Sequence, residues 1–234
     1  MTSTAYRQLS RRTDQLDAVD SDNRLLGRMS IRRLEAEAVR DSMLAATRQI
    51  NYQMLGPPVP VAVDEVGQVI VGLDNRDTAG RPVGKRGAIG ASEFRRSLYV
   101  QVRRSLPLSM LDTFDAPALN PNCEIRNRST VAPQSLLLMN SDFVLERSQA
   151  LAEQVIATCG DDRPQQVRMA WRLALAQEPS SAEIAAAVQL VADQEVEFSG
   201  QKSSDKTPLP PAGTRALATL CQALFSSNAF LYVD

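Results

Sequence analysis

Apolar positions along this chain recur mostly at helical spacing. In the N-terminal half, Ile31, Leu34, Ala38, Val39 and Met43 fall on one broad face of a segment running from Ile31 to about Ile50, while Arg33, Glu37 and Arg40 fall opposite. This spacing predicts a long helix capped by Ser30, its arginines and glutamate turned to solvent. Before it, Ala5 to Leu16 reads as a polar helix or extended arm. Asp22 is placed to cap a short helical stretch from Asn23 to Met29, which Gly27 weakens.

The period changes after Gly56-Pro57-Pro58. Val59 to Val63 and Gln68 to Leu73 are β-branched runs on either side of Asp64-Glu65-Val66-Gly67, the pattern of a hairpin with a four-residue turn. Residues 74–90 are polar and glycine-rich and read as an exposed loop. Ser97 to Arg103 alternates, with Leu98, Val100 and Val102 on one side, and predicts a third short strand; a helical turn can follow Pro107.

Helical spacing then returns. Ser141 is placed to cap a helix over Asp142–Thr158 that Gly160 stops. Asp162 is placed to cap a second over Arg163–Gln177, with Pro164 in its first turn. A third starts at Ser181 with Ile184, Val188, Leu190 and Val191. Residues 199–213, with Pro208, Pro210 and Pro211, have linker composition, and a last helix spans Thr214–Phe225 ahead of the apolar end Phe230-Leu231-Tyr232-Val233. The expected fold class is mainly α, a helical domain with a small hairpin and short-strand element.

Composition narrows the chemistry. The 234 residues contain no histidine, which removes Ser-His and Cys-His nucleophile activation and mixed Cys/His zinc sites. Cys123, Cys159 and Cys221 are too far apart in sequence for a close-spaced metal or redox pair. Cys159 and Cys221 are expected as small core residues on helices. No apolar run reaches the roughly 20 residues that cross a bilayer, and Gly84, Gly87 and Gly90 lack the surroundings of a phosphate-binding loop. No catalytic residue, metal ligand or cofactor is assigned to this chain.

Charge is unevenly spread. Up to Arg128 there are 19 basic and 15 acidic residues, a net of +4; from Ser129 onward there are 7 and 12, a net of −5. Arginine supplies 23 of the 26 basic residues, and it is the better residue for bidentate recognition of carboxylates. The segment Phe94 to Arg104 carries Arg95, Arg96, Arg103 and Arg104 without an acid. Phe94 and Tyr99 alone are a poor stacking platform for nucleic acid, so these arginines are expected to pair with the acidic C-terminal half.

The candidate polar site lies further on. Asp112 and Asp115 precede Glu124, Arg126 and Arg128 by a short proline-containing loop, and Arg95 and Arg96 are the basic residues expected to join them. Carboxylates facing arginines across a turn can fix an irregular loop, hold a polar ligand, or, as a carboxylate pair, do glycosidase-type acid/base work. The structural salt-bridge cluster is the expected reading.

These residues also carry a resemblance. Asp115-Ala116-Pro117, the run Cys123 to Thr130 and the run Pro133 to Asn140 are similar to the central signature of a planctomycete secreted, cytochrome-associated domain, domain of unknown function 1553. Asn23-Arg24-Leu25-Leu26, Arg32 to Asp41, Arg95 to Tyr99 and the stretch from Leu220 to Val233 fit it as well. The resemblance implies that residues 1–234 are one domain, the C-terminal part of a larger one. It implies export to the cell envelope or beyond, and a partner in an upstream domain of the same protein that includes a haem-containing region. Gly27 departs from the pattern, standing where an aromatic is expected. It implies no activity. Three functional readings stand: a non-catalytic binding or structural module, an enzyme acting on polysaccharide through Asp112, Asp115 or Glu124, and an intracellular helical scaffold.

Overall fold

A computed structural model describes residues 4, 7–73, 87–117, 126, 129–201 and 209–233. The fold is mainly α, as the spacing requires, with nine helices and two small antiparallel ladders among these residues. Helices α5 (Asp142–Cys159), α6 (Arg163–Leu175), α7 (Ser181–Ser199) and α8 (Ala212–Phe225) form the body. Their buried positions repeat at three and four residues: Ile184, Ala187 and Val191 on α7, and Leu217, Leu220, Cys221 and Leu224 on α8. Each fully buried leucine removes apolar area worth about 1.5–3 kcal/mol from water. Phe225 meets Phe230 of α9 (Asn228–Leu231) edge to face, ring centroids 5.1 Å apart, and closes the end of this core.

Local chemistry sets the ends of these helices. Asp162 Oδ1 accepts from Gln165 N at 3.0 Å with Pro164 in the first turn, as expected. Ser180 and Glu183 form a reciprocal capping box at the start of α7. Gly160, at φ +58°, ends α5. Ser141 occupies the cap position of α5, but its side chain makes no capping bond. Helix α4 (Ala132–Asn140) precedes it, unassigned by spacing. Of the stretch read as a linker, residues 202–208 lie outside the described residues, and α8 begins at Ala212.

The N-terminal third differs from its pattern in three ways. Helix α1 (Asp14–Asp20) is capped by Thr13, and residues 23–29 form turns instead of a helix: Asn23 and Leu26 adopt φ +54°, and Asp20 rather than Asp22 accepts the Arg24 and Leu25 N–H groups. The long helix starts at Ala36, not Ile31. Arg32–Arg33 (β1) is instead drawn into an antiparallel ladder with Tyr232–Val233 (β4), and Leu34 N donates to Leu231 O at 2.8 Å. Within α2 (Ala36–Ala46), Arg40 does not face solvent; at 1% exposure it is the largest fully buried side chain.

The hairpin forms where predicted. Strands β2 (Val61–Val63) and β3 (Val69–Val71) pair around a turn in which Asp64 Oδ1 accepts from Val66 N and Gln68 N, with Gly67 at φ +87°. Val59, Val61, Val69, Val71, Val100 and Leu108 make a second, smaller core beneath it. The third strand does not form. Ser97–Tyr99 is a 3-10 turn held by Ser97 N donating to Asp41 Oδ1 at 2.7 Å, and only Val100 bridges to Val59. Val100 is buried while Leu98 and Val102 are exposed, so they do not share one packed face. The helical turn after Pro107 is α3 (Ser109–Thr113).

Candidate functional site

Asp115 lies at the end of α3 with φ +64°, a left-handed conformation that aspartate tolerates better than most residues. Its N–H donates to Asp112 O and that of Ala116 to Leu111 O, which closes the helix and turns the carboxylate inward. Ser129 N and Ser129 Oγ each donate to it at 2.7 Å, Gln134 Nε2 stands at 3.5 Å and Arg33 Nη1 at 3.7 Å. Burial pushes the Asp115 carboxyl up, but the two Ser129 bonds, Arg33 and Gln134 together outweigh it and hold the group below the usual carboxylate range.

Gln134 joins the surrounding segments. Its amide donates to Thr113 O at 2.9 Å and Ser129 O at 3.2 Å, and its carbonyl oxygen accepts from Arg33 Nη2 at 2.7 Å and from Val131 N at 3.4 Å. Arg33 also lies over the Phe114 ring, 5.3 Å from its centroid. One node therefore ties β1, the end of α3, the chain at Ser129 and the start of α4.

The other sequence-predicted residues sit elsewhere. Arg126 does not meet Asp115; it clamps Glu37 at 2.7 and 3.2 Å and reaches Glu35 at 3.2 Å, at the start of α2. Burial raises the Glu37 carboxyl, but bonds from Arg126 and its own backbone outweigh that and lower it. Asp112 is exposed on α3. Glu124, Arg128 and Cys123 lie outside the described residues.

Nor do the predicted arginines pair with the acidic C-terminal half. Arg95 is buried, stacked 4.1 Å from the Tyr99 centroid, and donates to Pro57 O at 2.8 Å, Leu55 O at 2.5 Å and Gln53 O at 3.4 Å. Arg96 stands 3.7 Å from Asp41. Both sets of partners belong to the N-terminal half, because the acid-free segment is bonded along residues 51–59, and its contact with α5 is made by the Phe94 ring under Arg147.

Sequence reasoning missed Arg33, Gln134, Arg40 and Arg147. Arg40 donates to Arg95 O, Glu93 O and Ser97 Oγ, lies over Phe143, and is lowered to about 10 by burial, so it stays charged at neutral pH. Arg147 donates to Gln49 Oε1 and lies between the Phe94 and Phe143 rings. A local signal existed only for Gln134, which stands at the third helical position of α4 where glutamine returns to cap the helix start.

Two clefts of about 540 Å³ flank this framework. One, between the hairpin and the starts of α3 and α5, is edged by Asp64, Glu65, Glu93, Asp142 and Glu146 over Phe143. The other is edged by Glu37, Asp112, Leu98, Val102, Arg103 and Arg104. Asp115 lines neither. Among the described residues no three potential ligands converge on a metal position, and no helix is long and apolar enough to cross a membrane.

The model of a family described as PSD1: Protein of unknown function (DUF1553) matches residues 1–191. No curated protein and no solved structure matches the chain.

Proposed function

The chain belongs to the DUF1553 family of proteins of unknown function, and on that premise we propose that it is a non-catalytic binding or structural module of a secreted or cell-envelope protein. The observation that carries this reading is the state of Asp115. A general acid for glycoside cleavage needs a raised pKa and a nucleophile needs access to substrate. Asp115 has the opposite character: lowered, consumed by Ser129, Arg33 and Gln134, and outside both clefts. Its chemistry is that of a strut holding irregular chain between helices. Arg126 has the same role against Glu37.

In this reading the chain acts as the C-terminal part of a longer planctomycete protein, and an upstream region supplies any redox chemistry. With no histidine and three widely spaced cysteines, a haem would be held there and not here. The test pairs two measurements. Asp115→Asn and Arg126→Ala should lower stability, and the purified chain should release no sugar from a polysaccharide panel. Turnover that disappears in Asp115→Asn or in Asp112→Asn would replace this reading with the enzyme.

A further inference from the structure

Strand β3 has one edge against β2 and one facing away from it. Asp64 N donates to Gln68 O and Gly72 N to Pro60 O, so the even-numbered residues carry the ladder. The N–H and C=O groups of Val69, Val71 and Leu73 therefore point to the outer edge. Two of these positions are engaged. Val69 N donates to Ser109 Oγ at 2.8 Å, and Leu73 and Gly87 exchange bonds of 3.2 and 3.4 Å. Between them stands Val71, only 7% exposed, with no hydrogen-bond partner for its N–H or C=O among the described residues.

This open position lies in the cleft between the hairpin and α5. Ser109, which reaches Val69 from the outer edge, lines that cleft together with Val69 and Val71. An unpaired strand edge recognises main chain, because an extended segment laid beside it exchanges both bonds with the open residue. The stretch between Ser109 and Gly87 admits one such residue pair, so side chains must supply the rest of the recognition. Val66, 79% exposed at the turn, and the half-buried Leu137 and Phe143 offer apolar contact in the same cleft.

Charge at the rim selects those side chains. Asp64, Glu65, Glu93, Asp142 and Glu146 line the cleft, and Arg40 is its one base among the described residues. Arg40 is buried beside Glu93, and Glu146 stands 3.4 Å from Arg147. With those two pairs set aside, three carboxylates remain in excess: Asp64 and Glu65 in the hairpin turn, and Asp142 opening α5 on the facing wall. We propose that this cleft takes an extended, basic segment of a partner protein, whose main chain pairs with Val71 while its lysine or arginine side chains meet Asp64, Glu65 and Asp142. A free polyamine satisfies the carboxylates but leaves the Val71 carbonyl and N–H without a strand to pair with. The proposal deepens the binding-module reading by naming the partner's chemistry and rests on it.

The test is fluorescence anisotropy of the full chain with a labelled, end-capped peptide of alternating valine and lysine. Binding should weaken with salt, and by roughly two- to fivefold for each carboxylate removed in Glu65→Gln and Asp142→Asn. The same peptide with glutamate in place of lysine should not bind. Of two analogues, N-methylated at every valine or at every lysine, one should lose roughly tenfold, which tests the main-chain pairing without altering the protein. Bound peptide should also slow hydrogen exchange at the Val71 amide. No binding, equal affinity for the glutamate peptide, indifference to both carboxylate variants or to both N-methylated analogues, or Val71 exchange that bound peptide does not slow would each overturn the proposal. Polysaccharide turnover would sink the non-catalytic reading, whereas failure of the peptide leaves the state of Asp115 untouched, so the two failures are distinguishable.

Discussion

The Arg40 guanidinium donates to the Arg95 carbonyl oxygen at 2.9 Å across 55 residues of sequence, and so one buried arginine positions the backbone of another. Arg40 also satisfies Glu93 O and Ser97 Oγ. Arg40→Met keeps much of the volume but leaves these acceptors without their donor. It should cost about 3–5 kcal/mol in urea unfolding. A loss under about 1 kcal/mol would show that the interior tolerates them unpaired.

Asp115 makes stability depend on acid. Its folded pKa lies below the ordinary value near 3.8, so folding favours the charged form. The contribution is complete above that ordinary value and is lost as pH falls through the still lower folded one. Asparagine tolerates the same left-handed backbone, removes the charge and replaces one of the two acceptor oxygens with an N–H donor. Asp115→Asn should therefore be about 1–2 kcal/mol less stable than wild type at pH 7, with the gap closing below about pH 4. A gap that does not change with pH would rule out ionisation as its source.

The Arg126 clamp is weaker than its geometry suggests. The Arg126 and Glu37 side chains are 35% and 29% exposed, so water screens the pair. A double-mutant cycle with Arg126→Ala and Glu37→Gln should give a coupling of about 0.5–1 kcal/mol that shrinks at high salt. A coupling above about 3 kcal/mol would mean the pair is desolvated.

Cys221 and Cys159 should separate chemically. Burial pushes the Cys221 thiol up to about 12, whereas Cys159 is only partly buried at the end of α5 and is raised by burial and by Asp162. Iodoacetamide at about pH 8 followed by peptide mapping should label Cys159 slowly and Cys221 only after unfolding. Equal labelling of the two in native protein would contradict the packing of α8.

The N-terminal arm should be the least protected part of the fold. Helix α1 buries none of its residues, and Leu25 and Leu26 are 75% and 67% exposed. Amide exchange across residues 13–31 should run orders of magnitude faster than in α5 or α8. Sedimentation velocity should show self-association that Leu25→Ser/Leu26→Ser reduces. Equal protection and a compact monomer would mean these side chains are covered in solution.

Much of the candidate site was invisible in sequence because its partners are distant. Asp115 and Arg126 were legible as charged residues of one irregular stretch, and a shared cluster was the natural expectation. The structure divides them: Asp115 turns to Ser129, Gln134 and Arg33, and Arg126 turns to Glu37. Met29 illustrates the opposite limit. Expected at the end of a short helix, it is partly covered in irregular chain, where Met29 N reaches back to Leu9 O.

Spacing alone determined the mainly helical class, the spans of α5, α6 and α8 to within a few residues, the caps at Asp162 and Gly160, and the hairpin around Asp64–Gly67. Each depends on residues three, four or two positions apart, and that information is local. Tertiary structure decided which charges are buried. Arg40 looks solvent-facing on its own helix, yet it is enclosed because carbonyls from residues 93 and 95 and the Phe143 ring surround it. It also decided that Arg32–Arg33 leaves the helix to pair with Tyr232–Val233 at the other end of the chain. Desolvation of a cation and the pairing of two short strands both take their free energy from partners tens to hundreds of residues away, and a local pattern does not register them.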